Sequence, residues 1–497
     1  MELQFEKKPC SCLNRVVREV KTEEVSQEVR LSDGMPDIGR VLATWGQVVI
    51  RSKEWRGDTV TVSGGIMVWI LYAPEDGTDP RTVDSWIPFA VKWDVSAADR
   101  EGTIRALPLL RCADSRALSA RKLMVRAGVA ILGEMLCGAQ LQLSQPAEMP
   151  EDVELLKHTY PLWLPVEAGE KAFQLDEELT VPGATPGVDK ILSFTLRPEI
   201  TEEKVTVGRL VFRGSCNLHL VYRCIEGRLR SCEFEVPFSQ FQDLEDGNNE
   251  VKLDLTLAVT NLELEPGEEG RLRLKCGLVC QYLIHRCVMA ELVQDAYSPR
   301  RSVELTEESL NQPGLLEQRQ EKITAQVTLP GRIGQIVDVT FLPDFPHQRR
   351  TGEGIELDLP GTFQVLYQSE DGSIQSASAR WEGKSNLPAG EGSCVGVTVC
   401  PVSQSNGTCD GDSMELRGQL QLMMTTTSDR GIPMVSALEL GELKAPDPAR
   451  PSLILCRCDG ESLWSLAKSC GSTLEGIRSA NGIEEADRGT LVLIPVS

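Results

Sequence analysis

The apolar and polar positions of this chain follow one frame three times. Val68-Trp69-Ile70-Leu71-Tyr72 runs into Glu75-Asp76-Gly77, Leu218-His219-Leu220-Val221-Tyr222 into Ile225-Glu226-Gly227, and Phe363-Gln364-Val365-Leu366-Tyr367 into Glu370-Asp371-Gly372. Each predicts a strand entering a turn. β-Branched and aromatic residues suit a pleated, half-buried surface, and glycine after an acidic residue supplies the positive φ of a tight hairpin. Shifted by 150 residues without a gap, Ile38, Val41, Gly64, Tyr72 and Gly77 fall on Val188, Ile191, Gly214, Tyr222 and Gly227. Shifted by 295, the frame reaches Ile333, Ile336, Tyr367 and Gly372, with Leu359 opposite Gly64. A later strand recurs as well, at Val125 to Val129, within Arg273 to Val279, and at Leu416 to Leu420.

A period near 150 residues is too long for a solenoid unit of about 20 to 50, so each copy is expected to close its own core. The reading is mainly β, with three tandem sandwich-like domains at 30–145, 176–303 and 322–443. An N-terminal extension covers 1–29, where Val16, Val17, Val20 and Val25 among charged residues suit a short amphipathic helix or an edge strand. Linkers are placed at 146–175, where Pro146, Pro150, Pro161 and Pro165 cluster, at 304–321, helical or extended, and at the Pro-rich 444–452. In the third copy Pro343, Pro346 and Pro360 predict an edge or a distorted sheet.

The last segment, 453–497, changes period. Leu453-Ile454-Leu455-Cys456 predicts a strand, Gly460-Glu461 a turn, and Ser462 an N-cap before Leu463, Trp464, Leu466 and Ala467. Gly471 stops that helix; Leu474, Ile477 and Ala480 share one face of a second, which Asn481-Gly482 ends; Leu491 to Pro495 closes with a strand. The unit is thus a small βααβ domain.

Composition narrows the function. With 73 acidic against 51 basic residues the formal net charge is -22, which repels nucleic acid and anionic lipid. No apolar h-region follows Lys7 and Lys8 and no apolar run spans a bilayer, so a cytosolic protein is expected, its sixteen cysteines mostly buried, reduced thiols. The cysteine clusters Cys276, Cys280, His285, Cys287 and Cys216, Cys224, Cys232 lack the tight knuckle pairs of structural zinc, so no metal or cofactor is assigned. His158, His219, His285 and His347 sit outside any nucleophile motif, and neither a P-loop nor a dinucleotide fingerprint occurs; a non-enzymatic protein is expected. Tyr72, Tyr222 and Tyr367 are read as core or hairpin support, and Trp464 either as core or as a partner contact.

Gly460, Ser462, Leu463, Trp464, Ser465, Ala467, Lys468, Asn481, Gly482, Ile483, Gly489, Leu491, Ile494 and Pro495 together resemble the LysM module. Where that family commonly has Asp and Thr after the turn glycine, this chain has Glu461 and Ser462. The resemblance implies ligand or partner contact through Gly460, Glu461, Ser462, Leu463 and Trp464 and through Asn481, Gly482 and Ile483. With a LysM-like end, Met35-Pro36-Asp37-Ile38, Gly64 to Tyr72, Val211-Phe212-Arg213-Gly214 to Tyr222 and Val236-Pro237-Phe238 are similar to the SPOCS-domain, SipL-like spore-coat proteins of endospore-forming Firmicutes. That resemblance implies an adaptor at the forespore surface in the mother-cell cytosol. The same resemblance implies a LysM that docks on the coat ATPase SpoIVA and other domains that contact further coat proteins or a second copy. The alternative is binding of peptidoglycan or another N-acetylglucosamine glycan through the same loops.

Overall fold

The computed structural model describes residues 2–496 except 97–100, 146–148, 182–187, 245–249, 268–270, 311–313, 332, 353, 389–392, 402–404, 411, 429–430 and 446–449. Pro146 and residues 446–449 of the Pro-rich stretch 444–452 thus lie outside the described residues.

After a short strand β1 (Glu2–Gln4), six strands make unit one: β2 (Glu6–Arg30), β3 (Ile38–Arg56), β4 (Thr59–Pro74), β5 (Arg81–Asp94), β6 (Gly102–Ser119) and β7 (Lys122–Gln145). They form two antiparallel sheets, ordered β3-β4-β5 and β2-β7-β6. Alternation explains the packing. Ile87, Phe89, Val91 and Trp93 turn inward from β5 while their neighbours face solvent, and they meet Val125, Ala127, Val129 and Ile131 of β7. Each such apolar side chain contributes about 1.5–3 kcal/mol on full burial.

Unit two repeats the plan with β8 (Glu154–Leu179), β9 (Val188–Thr206), β10 (Arg209–Cys224), β11 (Leu229–Asp243), β12 (Val251–Pro266) and β13 (Leu272–Tyr297), in sheets β9-β10-β11 and β8-β13-β12. Between them comes β14 (Val303–Leu310). Unit three comprises β15 (Leu315–Pro330), β16 (Ile333–Pro343), β17 (His347–Thr351), β18 (Gly354–Ser369), β19 (Ile374–Leu387), β20 (Ser393–Pro401), β21 (Asn406–Asp410), β22 (Ser413–Ser428) and β23 (Ile432–Leu440). Here β18 is flanked by β16, β17 and β19, and β22 by β15, β20 and β21.

The repeated frame has a structural meaning. Val41 pairs Tyr72, Ile191 pairs Tyr222 and Ile336 pairs Tyr367, each beside a shift of register. Tyr72 is fully buried and its hydroxyl donates to the Pro36 carbonyl at 3.0 Å; the Tyr367 hydroxyl donates to Gln375 at 3.2 Å. The turns behave as the acidic-glycine signature predicts, since Gly77, Gly227 and Gly372 hold φ of 74, 82 and 83°.

Two segments differ from the sequence reading, and a third takes one of its two alternatives. The stretch 1–29 takes the edge-strand alternative but is no extension, because nearly all of it is β2, paired along β7 from Glu6 to Arg30 within unit one. Most of 146–175 is strand too: β8 pairs β13 from Glu154 to Leu179, with Pro161 and Pro165 tolerated on its edge. The 304–321 stretch takes the extended one of its two readings in the residues described, 304–310 lying in β14 and 315–321 in β15. Long edge strands that are rich in charge lack the apolar run that marks a central strand, which hid them.

Past each sandwich the β2/β7, β8/β13 and β14/β23 pairs continue as arms. Cys12, Leu141, Leu162, Leu164, Leu292, Leu310 and Met434 from these arms share one core, and β1 adds to β23. The sandwiches also meet in a cycle. Trp45 of unit one and His219 of unit two both contact Asp338 of unit three, while Gln281 of unit two holds both the N–H and the carbonyl of Ala106 on the edge strand β6.

Candidate functional site

The terminal unit consists of β24 (Leu453–Arg457), α1 (Leu463–Cys470), α2 (Leu474–Asn481) and β25 (Leu491–Pro495), with β24 and β25 antiparallel. Local chemistry sets these limits. The Ser462 hydroxyl accepts from Ser465 N and Gly471 closes α1 at φ 63°; Thr473 accepts from Gly476 N and Gly482 closes α2 at φ 66°.

Two loops define the expected binding rim. Gly460, Glu461 and Ser462 are exposed on the first, and Gly482 with Glu484 and Glu485 on the second. They are tied together. The Cys458 thiol lies between the carbonyls of Glu461 and Ala486, at 3.2 and 3.7 Å, and Arg488 pairs with Asp459 at 2.9 Å. Asp459, Glu461, Glu484, Glu485 and Asp487 make the rim predominantly acidic.

The remaining expected site residues point elsewhere. Leu463 is buried in the unit's core and Ile483 packs on it. Asn481 has a scaffold role: its amide donates to the carbonyls of Ile477 and Leu493, at 2.7 and 2.6 Å, and its carbonyl accepts from Leu493 N at 2.7 Å. This clamps α2 to β25. Trp464, left open between core and partner contact, is 7% exposed and faces the rest of the chain. Its ring stands edge-on to Tyr297 at 4.8 Å and its Nε1–H donates to Asp295 at 2.8 Å. Lys468, one turn on, reaches the same carboxylate at 2.7 Å, and the Tyr297 hydroxyl donates to the Ser472 carbonyl at 2.9 Å. One face of α1 therefore anchors the unit to the end of the β13 arm.

Sequence reasoning missed Asp295 and Tyr297, which carry no local motif and lie 169 and 167 positions from Trp464. It also missed the outer face of the β24/β25 ribbon, where Leu453, Leu455 and Leu491 are 55, 64 and 56% exposed. Their alternation with buried Ile494 and Val492 was the available signal.

A second polar constellation lies at the junction of the three sandwiches. Arg105 is buried and donates to Glu134 at 2.5 Å and to Asp254 at 2.8 and 3.1 Å, with Arg15 and Arg18 around Glu134 and Arg18 reaching Thr398 of unit three at 3.1 Å. Burial opposes charge on Asp254, yet the Arg105 guanidinium overrides it and holds the carboxyl at about 2. Burial drives the nearby His285 imidazole down to about 4. Asp338 behaves like Asp254: burial pushes its carboxyl up, but His219, Trp45 and Thr340 hold it below the usual carboxylate range. Beside these groups Trp45, Leu107, Leu110, Leu257 and Phe341 line a cavity of about 150 Å³. Charge pairs and packing here join units. Among the described residues no group of three or more His, Cys, Asp or Glu is placed to hold a metal ion.

No curated protein and no solved structure matches this chain. Residues 187–266, which run from the start of β9 to the end of β12, match the family described as SipL, SPOCS domain. Unit two thus carries a SipL-type SPOCS domain, which supports a SipL-like family and a sporulation-related role in protein interaction.

Proposed function

We propose that the chain is a non-enzymatic adaptor of spore-coat assembly, built of three tandem SPOCS-like domains and a LysM-like terminal unit that docks on the coat ATPase SpoIVA at the forespore surface in the mother cell. The single observation that carries this reading is the SPOCS match over 187–266. The terminal unit supports it. Trp464 is the only aromatic residue after 453, and it is spent on Tyr297 and Asp295, so the exposed surface offers no ring for a sugar to stack on. What it presents is an apolar ribbon of Leu453, Leu455 and Leu491 together with an acidic rim, which suits a protein with an apolar, basic-edged surface.

The test immobilises the full chain and titrates purified SpoIVA and, in parallel, soluble chitin and peptidoglycan oligomers. Saturable capture of SpoIVA is expected. Leu455→Asp with Leu491→Asp should weaken it by about tenfold or more, the loss typical of a buried apolar contact, with far-ultraviolet circular dichroism unchanged. Capture of glycan alone would reject the adaptor reading in favour of a wall-binding protein.

A further inference from the structure

The centre of each sandwich is one cross-sheet position, where the middle strands of the two sheets face each other. In unit one Ile66 of β4 and Ala127 of β7 fill it, both fully buried in the same core. In unit three the corresponding residues are Gly361 of β18 and Gly418 of β22, and the ring of Phe341 occupies the space against both, 2.6 and 2.8 Å from where a Cβ would stand. Unit two alone places two cysteines there, Cys216 of β10 and Cys276 of β13. They are 0 and 2% exposed and lie in one core cluster, and each thiol feels the other across the gap between the sheets.

We propose that Cys216 and Cys276 form a cross-sheet disulfide in unit two, made by exchange with a small-molecule disulfide. A bond between central strands of two packed sheets is a recurrent stabiliser of β-sandwiches, and facing central positions are where a sulfur–sulfur bond of about 2.05 Å can close. The order of steps follows from the pair's own chemistry. The contact with Cys216 pulls the Cys276 thiol down, whereas the same contact and burial push the Cys216 thiol up. The Cys276 thiolate attacks one sulfur of the small disulfide, forms a mixed disulfide and expels one small thiolate. Cys216 then loses its proton to solvent base and attacks the Cys276 sulfur, expelling the second. Two protein thiols are oxidised by two electrons and the small disulfide is reduced to two thiols, which take up the two protons. Because the pair is buried, exchange passes through opening of the sandwich or occurs before it closes.

The test uses the full chain. Exposed thiols, Cys394 and Cys409 among them, are first capped by N-ethylmaleimide in the native state. The protein is then incubated with oxidised glutathione in water and in mild urea, and mapped by non-reducing peptide mass spectrometry. The expected product is one linked peptide pair joining Cys216 to Cys276, about 2 Da below the summed thiols and released by reductant. It should form faster in urea, and the oxidised chain should melt roughly 5 °C or more above the reduced one. Cys216→Ile with Cys276→Ala, the pair that unit one carries, should abolish both the linked peptide and the shift. Free Cys216 and Cys276 thiols after oxidation in urea, or bonds from either to other cysteines, would overturn the proposal.

Discussion

Gly64 and Gly214 hold the same place in the frame, and the reason is steric. A Cβ at Gly64 would overlap the Val49 carbonyl oxygen, and one at Gly214 the Glu199 carbonyl oxygen, because the neighbouring strand shifts register at both points. Leu359 stands at this position in unit three because the partner strand has left: β16 ends at Pro343 and β17 begins only at His347. Gly214→Ala is therefore expected to cost about 2 kcal/mol or more as the bulge is forced apart, read as a lowered urea midpoint. Asp295 is the second decisive residue, accepting from Trp464 and Lys468 together. Asp295→Ala should remove roughly 1.5–3 kcal/mol of charge-assisted hydrogen bonding. Faster amide exchange across Leu463–Cys470, with exchange in β10 unchanged, would show the terminal unit loosened from its arm.

At the scale of elements, the polar side chains on β6, β7, β12 and β13 make stability pH-dependent. Holding His285 at about 4, below its unfolded value near 6.5, means that the unfolded chain binds the extra proton first. Stability is then full above pH 6.5 and falls by roughly 3 kcal/mol as pH drops to about 4. Asp254, held at about 2, adds stability that is present above its unfolded value near 3.9 and is lost as pH falls towards 2. The melting temperature should decline continuously on acidification from pH 7, and His285→Gln should flatten the slope between pH 6.5 and 4 while leaving the steeper loss below pH 4.

For the whole molecule, buried polar pairs join the sandwiches, Arg105 of unit one with Asp254 of unit two and His219 of unit two with Asp338 of unit three. Arg105→Ala leaves Glu134 and Asp254 facing each other in the interior with Arg15 and Arg18 alone to compensate. Breaking a buried pair on one side costs about 3–5 kcal/mol. Urea unfolding of that variant, followed by intrinsic fluorescence, should show a lower midpoint and a broader or split transition as unit one parts from unit two. A midpoint unchanged from wild type would show that the junction is held by packing alone.

Much of this was legible along the chain because it rests on local rules. The acidic-glycine turns after Tyr72, Tyr222 and Tyr367, the caps at Ser462, Gly471 and Gly482, and the proline break in unit three depend on backbone chemistry within a few residues, so the sequence by itself determined them. Tertiary structure decided the rest. Glu6–Arg30 and Glu154–Leu179 became strands only because β7 and β13 offered unpaired backbone along their whole length. Trp45, His219 and Asp338 became one cluster only when three units closed on each other, across separations of 293 and 119 positions. Trp464 turned inward because a carboxylate and an aromatic ring waited at the end of the β13 arm. Short-range geometry is written in neighbouring residues, whereas the partner of a buried polar group is chosen by whatever the fold brings within hydrogen-bonding distance.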